Sequence, residues 1–230
     1  MPKGSDNLIV FDWNGTIIAD TTACVHATNR VLKVMGFPKI TRAHYQRHYT
    51  MPIIDLYHAM GVSLEAIQKH EDKIHPLWHD TYQSNAIRLR RGAKPAFDQL
   101  RRASFKSIIL SNYVVERIDQ QARRLGVREH FAEIIAFHQS DATFRKRGKG
   151  ERLESYLKKN PARAGIIVGD TEEEVEIGRE LGLVTVAITD GMCSTARLRK
   201  MKPDFLIQSL HKLPTIALDV FGLAKDKEAK

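Results

Sequence analysis

Residues 8–20, LIVFDWNGTIIAD, constrain this chain more than any other stretch. The apolar run from Leu8 to Phe11 reads as a buried strand that stops at a carboxylate, Asp12, and the pair Gly15-Thr16 then turns the chain. That turn is expected to aim backbone N–H groups at whatever Asp12 touches. In open parallel sheets, ligands collect outside the carboxyl ends of the strands, so an acid placed there meets a ligand while its strand holds it still. An Asp in this position can also simply cap the following helix.

The rest of the chain decides between those roles. From about Asp20 to about Leu89 no convincing strand is found; Val25, Asn29, Leu32 and Met35 recur at helical spacing, and Gly36-Phe37-Pro38 ends that helix. Thr41 and Ser63 read as N-caps, and the helix after Ser63 carries Ile67, Ile74 and Trp78 on one side. From Gly92 onward, strands and helices alternate, which argues for a parallel sheet covered on both faces. The expected strands lie at 107–110, 134–137, 165–168 and 184–188, with a last short strand and helix within 205–218. The fold class is therefore α/β: a Rossmann-like parallel sheet core, residues 1–18 and 90–230, with an inserted helical-bundle cap, residues 19–89.

At 230 residues the chain can bury a full core. No apolar run reaches membrane-spanning length and the start MPKGSDN lacks the apolar stretch of a signal peptide, so a cytoplasmic location is expected, without a membrane partner. Cys24 and Cys193 form no disulfide framework, which suits a reducing compartment. The net charge of +9 raises the question of nucleic acid, but the basic clusters near Arg88, Arg101, Arg123 and Arg145 carry no binding motif and no interleaved aromatics. The charge reads instead as solvated faces, or as a field that attracts small anions such as phosphate esters.

Strand-ending acids and hydroxyls line up along the chain: Asp12 in DWNGT, Ser111 with Asn112 in IILSN, Lys149 in KGERL and Asp170 in GDTEEEV. In this order they resemble the four motifs of the haloacid dehalogenase superfamily, mostly phosphatases, and the insert resembles the cap of its phosphoglycolate-phosphatase-like branch. The resemblance implies a magnesium-dependent phosphatase that acts on a small phosphorylated metabolite through an aspartyl-phosphate. Asp12 is then the nucleophile, and Ser111 and Lys149 hold the phosphoryl group. Asp12, the backbone carbonyl of Asn14, Asp170 and, through a water, Glu174 hold magnesium. Glu173 is a second choice for Glu174, and Lys146 for Lys149. Gly15, Thr16, Ser111, Asn112 and the cap residue Arg47 are expected to bind substrate.

Physical chemistry supports those assignments. Displacement at phosphorus needs an ionised carboxylate held in line, and the charge that develops needs fixed donors and cations. Magnesium asks for hard oxygens and keeps several waters. Asn14 breaks the pattern, because it stands where the family has a second Asp that protonates the leaving oxygen and later activates water, and an amide does not titrate. Leaving groups that need no proton, in acyl or aryl phosphates, are thus expected to depart far better than sugar or glycolate alkoxides. Two alternatives follow from Asn14: a weak or inactive member that binds a phospholigand or a protein, and a phosphonate or halide hydrolase on the same fold. His26, Arg42, His44, Arg47 and His48 are cap side chains within reach of the opening, and Lys33 or Lys39 are the lysines a phosphonate hydrolase would want there. His75 and His79 are helical neighbours, read as a surface pair and not as a metal site. Trp13 is expected to pack.

Overall fold

Period-two alternation along β1 (Asn7–Phe11) sends Ile9 and Phe11 to one face of a sheet and Leu8 and Val10 to the other, and all four are buried. The computed structural model describes residues 7–138, 148–161 and 164–223. Within it, β1 pairs with β2 (Lys106–Val114) on one side and β4 (Ala164–Gly169) on the other. The six strands run β3-β2-β1-β4-β5-β6, all pairings parallel, with β3 at Glu133–Phe137, β5 at Val184–Ile188 and β6 at Phe205–Ile207. The chain builds outward from β1 through β2 to β3, then crosses to β4 on the other flank. The order therefore reverses between β1 and β4, and the carboxyl ends of these two strands form the crevice where such sheets bind ligands.

Between β1 and Gly92 stand four helices: α1 (Thr21–Val34), α2 (Arg42–His48), α3 (Ile53–Ala59) and α4 (Leu64–Gln83). Caps fix two of their starts. The Thr41 side chain accepts from the His44 N–H at 3.1 Å, and the Ser63 hydroxyl accepts from the Ala66 N–H at 3.2 Å. α1 lies along α4, and the bundle has an apolar centre of its own around Leu32, Tyr57, Val62, Ile67 and Ile74. Its two connections to the sheet are tied to each other: the Ala19 N–H donates to the Arg88 carbonyl and the Arg90 N–H to the Ile17 carbonyl, both at 2.8 Å. The insert is thus a cap on a paired stem.

The two sheet faces are covered by different helices. α5 (Ala93–Arg102), α6 (Val115–Arg124) and the C-terminal α10 (Leu213–Val220) bury Phe97, Ile118 and Leu213 over the face that carries Ile9 and Phe11. α7 (Lys149–Lys159) and α8 (Glu172–Glu180) bury Leu153, Tyr156 and Ile177 over the other face. Two features depart from the sequence pattern. A helix α9 (Thr195–Lys200), capped by the Ser194 hydroxyl, follows β5; six residues are too few to show a helical period. β2 also runs past the expected end at Leu110, with a shift of pairing between Leu110 and Val114 that bends the strand at Ser111 and Asn112.

Phe97 meets Phe11 and Phe131 edge to face, with ring centroids 5.4 and 5.0 Å away, beneath the strand that ends at Asp12. Phe97→Ala is expected to lower stability by about 3–5 kcal/mol. Urea denaturation should show an earlier midpoint at unchanged slope.

Candidate active site

Asp12 follows β1 directly, and its N–H donates to the Val168 carbonyl of β4 at 2.9 Å. The ladder thus continues one residue past the strand, and the carboxylate inherits its rigidity. Lys149, the first residue of α7, is 3% exposed, and its Nζ donates to Asp12 Oδ1 at 2.8 Å and to Glu174 Oε1. Glu173 Oε2 stands 3.9 Å from the same nitrogen. Burial by itself lowers the pKa of an ammonium, but the carboxylates of Asp12, Glu174 and Glu173 reverse this and hold Lys149 protonated. Asp12 is pushed well above the usual carboxylate range by burial; Lys149 opposes the push, and Glu174 and Asp170 add to it.

Asp170 occupies the equivalent place after β4 and is fully buried. Thr16 Oγ1 donates to its Oδ1 at 2.7 Å, and the Met192 N–H donates to its Oδ2. Burial first, and then Glu174, raise its pKa to about 6. The backbone comes so close that a Cβ on Gly15 would stand 2.2 Å from Asp170 Oδ2, and Gly15 has a φ of +75°, so two constraints demand glycine there. Asp12 and Glu174 therefore share one buried ammonium, with Glu173 3.9 Å from it, while Asp170 is held beside them by Thr16 and the Met192 N–H. A negative surplus of hard oxygens at a crevice fits a divalent cation of the magnesium type, which needs only one or two carboxylates and keeps its waters. Among the described residues no three His, Cys, Asp or Glu side chains form a closed cage. Asp12 and Asp170 are the two carboxylates that would hold such an ion.

Asn14 is fixed by a network that the sequence did not reveal. Its Nδ2 donates to Asp20 Oδ2 at 2.7 Å and to the Tyr82 hydroxyl at 3.2 Å, and that hydroxyl donates in turn to Asp20 Oδ2 at 2.7 Å. The Gly15 N–H donates to Asp20 Oδ1 at 2.8 Å, so this amide is turned to Asp20. Both N–H bonds of the Asn14 amide are spent, and only its carbonyl oxygen remains as an acceptor. Asp20 is itself buried; burial raises its carboxyl, and the bonds from Asn14, Tyr82 and Gly15 oppose the rise. The network ties the first loop of the core to the end of cap helix α4.

Ser111 and Asn112 lie at the bend of β2. The Ser111 hydroxyl accepts from the Tyr113 N–H at 3.1 Å, so it does not cap α6. Asn112 Nδ2 donates to Glu173 Oε2 at 2.7 Å, while its Oδ1 and the Ser111 carbonyl accept from Arg152, at 3.1 and 3.0 Å. Arg152, which sequence reasoning passed over, stacks on Phe137 at 4.0 Å and braces this bend. Lys146 lies outside the described residues. Trp13 is buried and donates to Gln121 Oε1, a packing role as expected.

Asp12, Asn14, Ser111, Asn112 and Lys149 open together into a cavity of about 110 Å3 between sheet and cap. Its cap side is aromatic and apolar, and it includes His75 and His79, the pair the sequence assigned to the surface. Among the described residues, the other cap candidates do not line it. Arg47 and the two lysines Lys33 and Lys39 are exposed, and Arg42 pairs with Asp190 at 2.7 Å. His26 meets Asn85, and His44 stacks on His48. Glu174 doubles as the far half of a capping box with Thr171 at the start of α8.

The family model for haloacid dehalogenase-like hydrolases matches residues 9–188, and the chain belongs to that family. Among curated proteins it is similar to a phosphoglycolate phosphatase of Vibrio parahaemolyticus, 21% identical over 93% of this chain and 96% of the other. It is also similar to a phosphoglycolate phosphatase of Synechococcus elongatus, 26% identical over 87% of this chain and 92% of the other. Among solved structures, a haloacid dehalogenase-like hydrolase from Streptococcus pneumoniae superposes with a TM-score of 0.74 at 20% identity, covering 93% of this chain and 97% of that one. Among the described residues no helix is long and apolar enough to cross a membrane.

Burial, with His75 next, lowers the pKa of His79 from 6.5 to about 4. The unfolded chain therefore takes up a proton that the folded chain refuses. This part of the stability is complete above pH 6.5 and is lost as the pH falls toward about 4. His79→Phe should remove it, so the fall in melting temperature between pH 6.5 and 5 should be smaller in the variant than in the parent.

Proposed function

We propose that the chain is a magnesium-dependent phosphatase that cleaves a small phosphorylated metabolite through an aspartyl-phosphate on Asp12. The observation that carries this reading is the buried Asp12 carboxylate, held by the strand ladder and gripped by Lys149 at 2.8 Å, at the mouth of a cavity. An acid placed only for stability has no reason to sit there, since a buried ion pair seldom adds net stability over apolar packing. The family match and the similarity to phosphoglycolate phosphatases support the same class of reaction.

In this mechanism one oxygen of Asp12 attacks phosphorus, the bond from phosphorus to the leaving oxygen breaks, and the leaving group departs as an oxyanion. Lys149 and the Ser111 hydroxyl offset charge on the transferring group. When bound by Asp12, Asp170 and the Asn14 carbonyl, magnesium supplies further charge neutralisation and orientation. Water then splits the aspartyl-phosphate, which releases orthophosphate and restores Asp12. Asn14 can orient that water through its one uncommitted acceptor oxygen but takes no proton from it. Hydrolysis of the intermediate is therefore the weak step.

The test is phosphate release with magnesium, comparing the parent with Asp12→Asn and Asn14→Asp. Asp12→Asn should abolish turnover, and removal of magnesium by a chelator should do the same. Asn14→Asp places a carboxyl beside Asp20, whose charge raises its pKa and suits it to proton donation. Turnover of alkyl esters should then rise by about 10²- to 10⁴-fold. If parent and Asn14→Asp are both silent across phosphate esters, the reading of a phospholigand-binding protein replaces this one.

A further inference from the structure

The proposed phosphatase site leaves the chemistry of the leaving group open, and the cavity speaks to it. At the phosphate end, Asn14, Ser111, Asn112, Thr171 and Glu173 join Asp12 and Lys149. Away from it the walls are mostly Tyr45, Tyr49, Tyr57, Trp78 and Tyr113 with methionine and isoleucine side chains between them, and His75 and His79 are their polar members. Lys149 is the one Lys or Arg among the described residues that line the cavity, and it is committed to Asp12 and Glu174 at the phosphate end. A leaving group with a carboxylate, such as glycolate, would bring its charge into a mostly apolar space with no second Lys or Arg to meet it.

Size and polarity narrow the occupant further. The whole cavity, phosphate end included, measures about 110 Å3, less than the ~150 Å3 apolar space that takes one benzene ring, so a single ring is the upper limit for the leaving group. Two polar atoms in this wall, His79 Nδ1 and the Tyr113 hydroxyl, are buried with no hydrogen-bond partner among the described residues. Their rings stack with centroids 6.2 Å apart, so both belong to one patch. An unmet buried polar group is unfavourable unless a partner arrives. Asn14, with both N–H bonds spent on Asp20 and Tyr82, offers the departing oxygen neither a proton nor a hydrogen bond. A phenol, with a pKa of roughly 10, tolerates this where an alkoxide does not.

We infer that the substrate is an aryl phosphate monoester, its leaving group a single uncharged aromatic ring whose hydroxyl or carbonyl substituent meets His79 and Tyr113. This rests on the phosphatase reading and makes it specific. It separates aryl from acyl phosphates, which the loss of a proton donor alone does not: both leave readily, but an acetyl group fills none of the aromatic wall.

The experiment compares kcat/KM for phenyl phosphate, 4-hydroxyphenyl phosphate, acetyl phosphate and phosphoglycolate. The two aryl esters should exceed acetyl phosphate and phosphoglycolate by at least about 10-fold, and the hydroxyl should add a further gain of at least about 5-fold. Tyr113→Phe and His79→Phe keep a ring in place and should each shrink the ratio between the two aryl esters, mainly through KM. Phosphoglycolate or acetyl phosphate at parity with the aryl esters overturns the inference, as does a hydroxyl gain that survives both variants. Trp78 fluorescence in Asp12→Asn, titrated with 4-hydroxyphenyl phosphate, reads occupancy apart from chemistry. Saturation there that weakens in Tyr113→Phe supports the aryl site even if the parent turns nothing over, an outcome that sinks only the phosphatase reading; absence of saturation overturns the aryl site itself.

Discussion

The ammonium of Lys149, buried between Asp12 and Glu174, is the interaction on which this architecture turns. It joins three elements that the sequence keeps far apart: the end of β1, the start of α7 and the first turn of α8. Desolvating three charges is unfavourable, and their mutual attraction seldom leaves a surplus for stability. The arrangement makes sense as positioning. Lys149 fixes the Asp12 carboxylate, and Glu174 fixes Lys149 while its other oxygen closes the capping box of α8. With Asp170 close by, the crevice holds more buried carboxylates than one ammonium can pair, so an anion entering it would meet repulsion unless a further cation came with it.

A second network governs how the cap meets this centre. Asp20 stands at the entrance to the cap, and it gathers the Gly15 N–H, the Asn14 amide and the Tyr82 hydroxyl. The loop that follows Asp12 is thereby anchored to the far end of α4. On the other flank, Arg197 reaches from α9 to the carbonyls of Arg47 and Tyr49 while paired with Glu172, and Gln46 donates to the Gly191 carbonyl at 2.7 Å. The cap is thus pinned on both sides of the crevice. A side effect of the Asp20 network is to take away the one polar function an amide at position 14 could have offered a leaving group.

Much of this was legible in the sequence where the signal is local. The run from Leu8 to Phe11 that ends at Asp12, the Gly169-Asp170 pair after β4 and the caps at Thr41 and Ser63 each depend on residues within one element, and the structure places them as read. Lys149 was legible through the resemblance of KGERL to the family's third motif, whose lysine commonly opens a helix, and it does open α7. What escaped depends on distance along the chain. Asp20 and Tyr82 are 62 positions apart, and no pattern in either neighbourhood announces the bond between them. Arg47 was chosen for charge and helix position, but α2 turns it to solvent, while His75 and His79, read as surface neighbours, face the cavity because α4 packs on α1. Binary patterning says which face of a helix is apolar. It does not say whether that face meets a core or the roof of a site.

That distinction bears on how far kinship carries here. Relatives at 21–26% identity match 87–93% of the chain, and a shared scaffold does not by itself fix what the site acts on. In the proposed reading, leaving-group recognition rests on other residues: the aromatic wall, the two unsatisfied polar atoms and the amide at position 14. Tyr113 belongs to β2, and it shares one buried core cluster with Tyr45, so part of that wall is structural as well. On the proposed reading, a catalytic end for phosphate and a recognition end whose lining holds no second Lys or Arg impose separate demands, and a substrate whose charge is confined to its phosphate meets both.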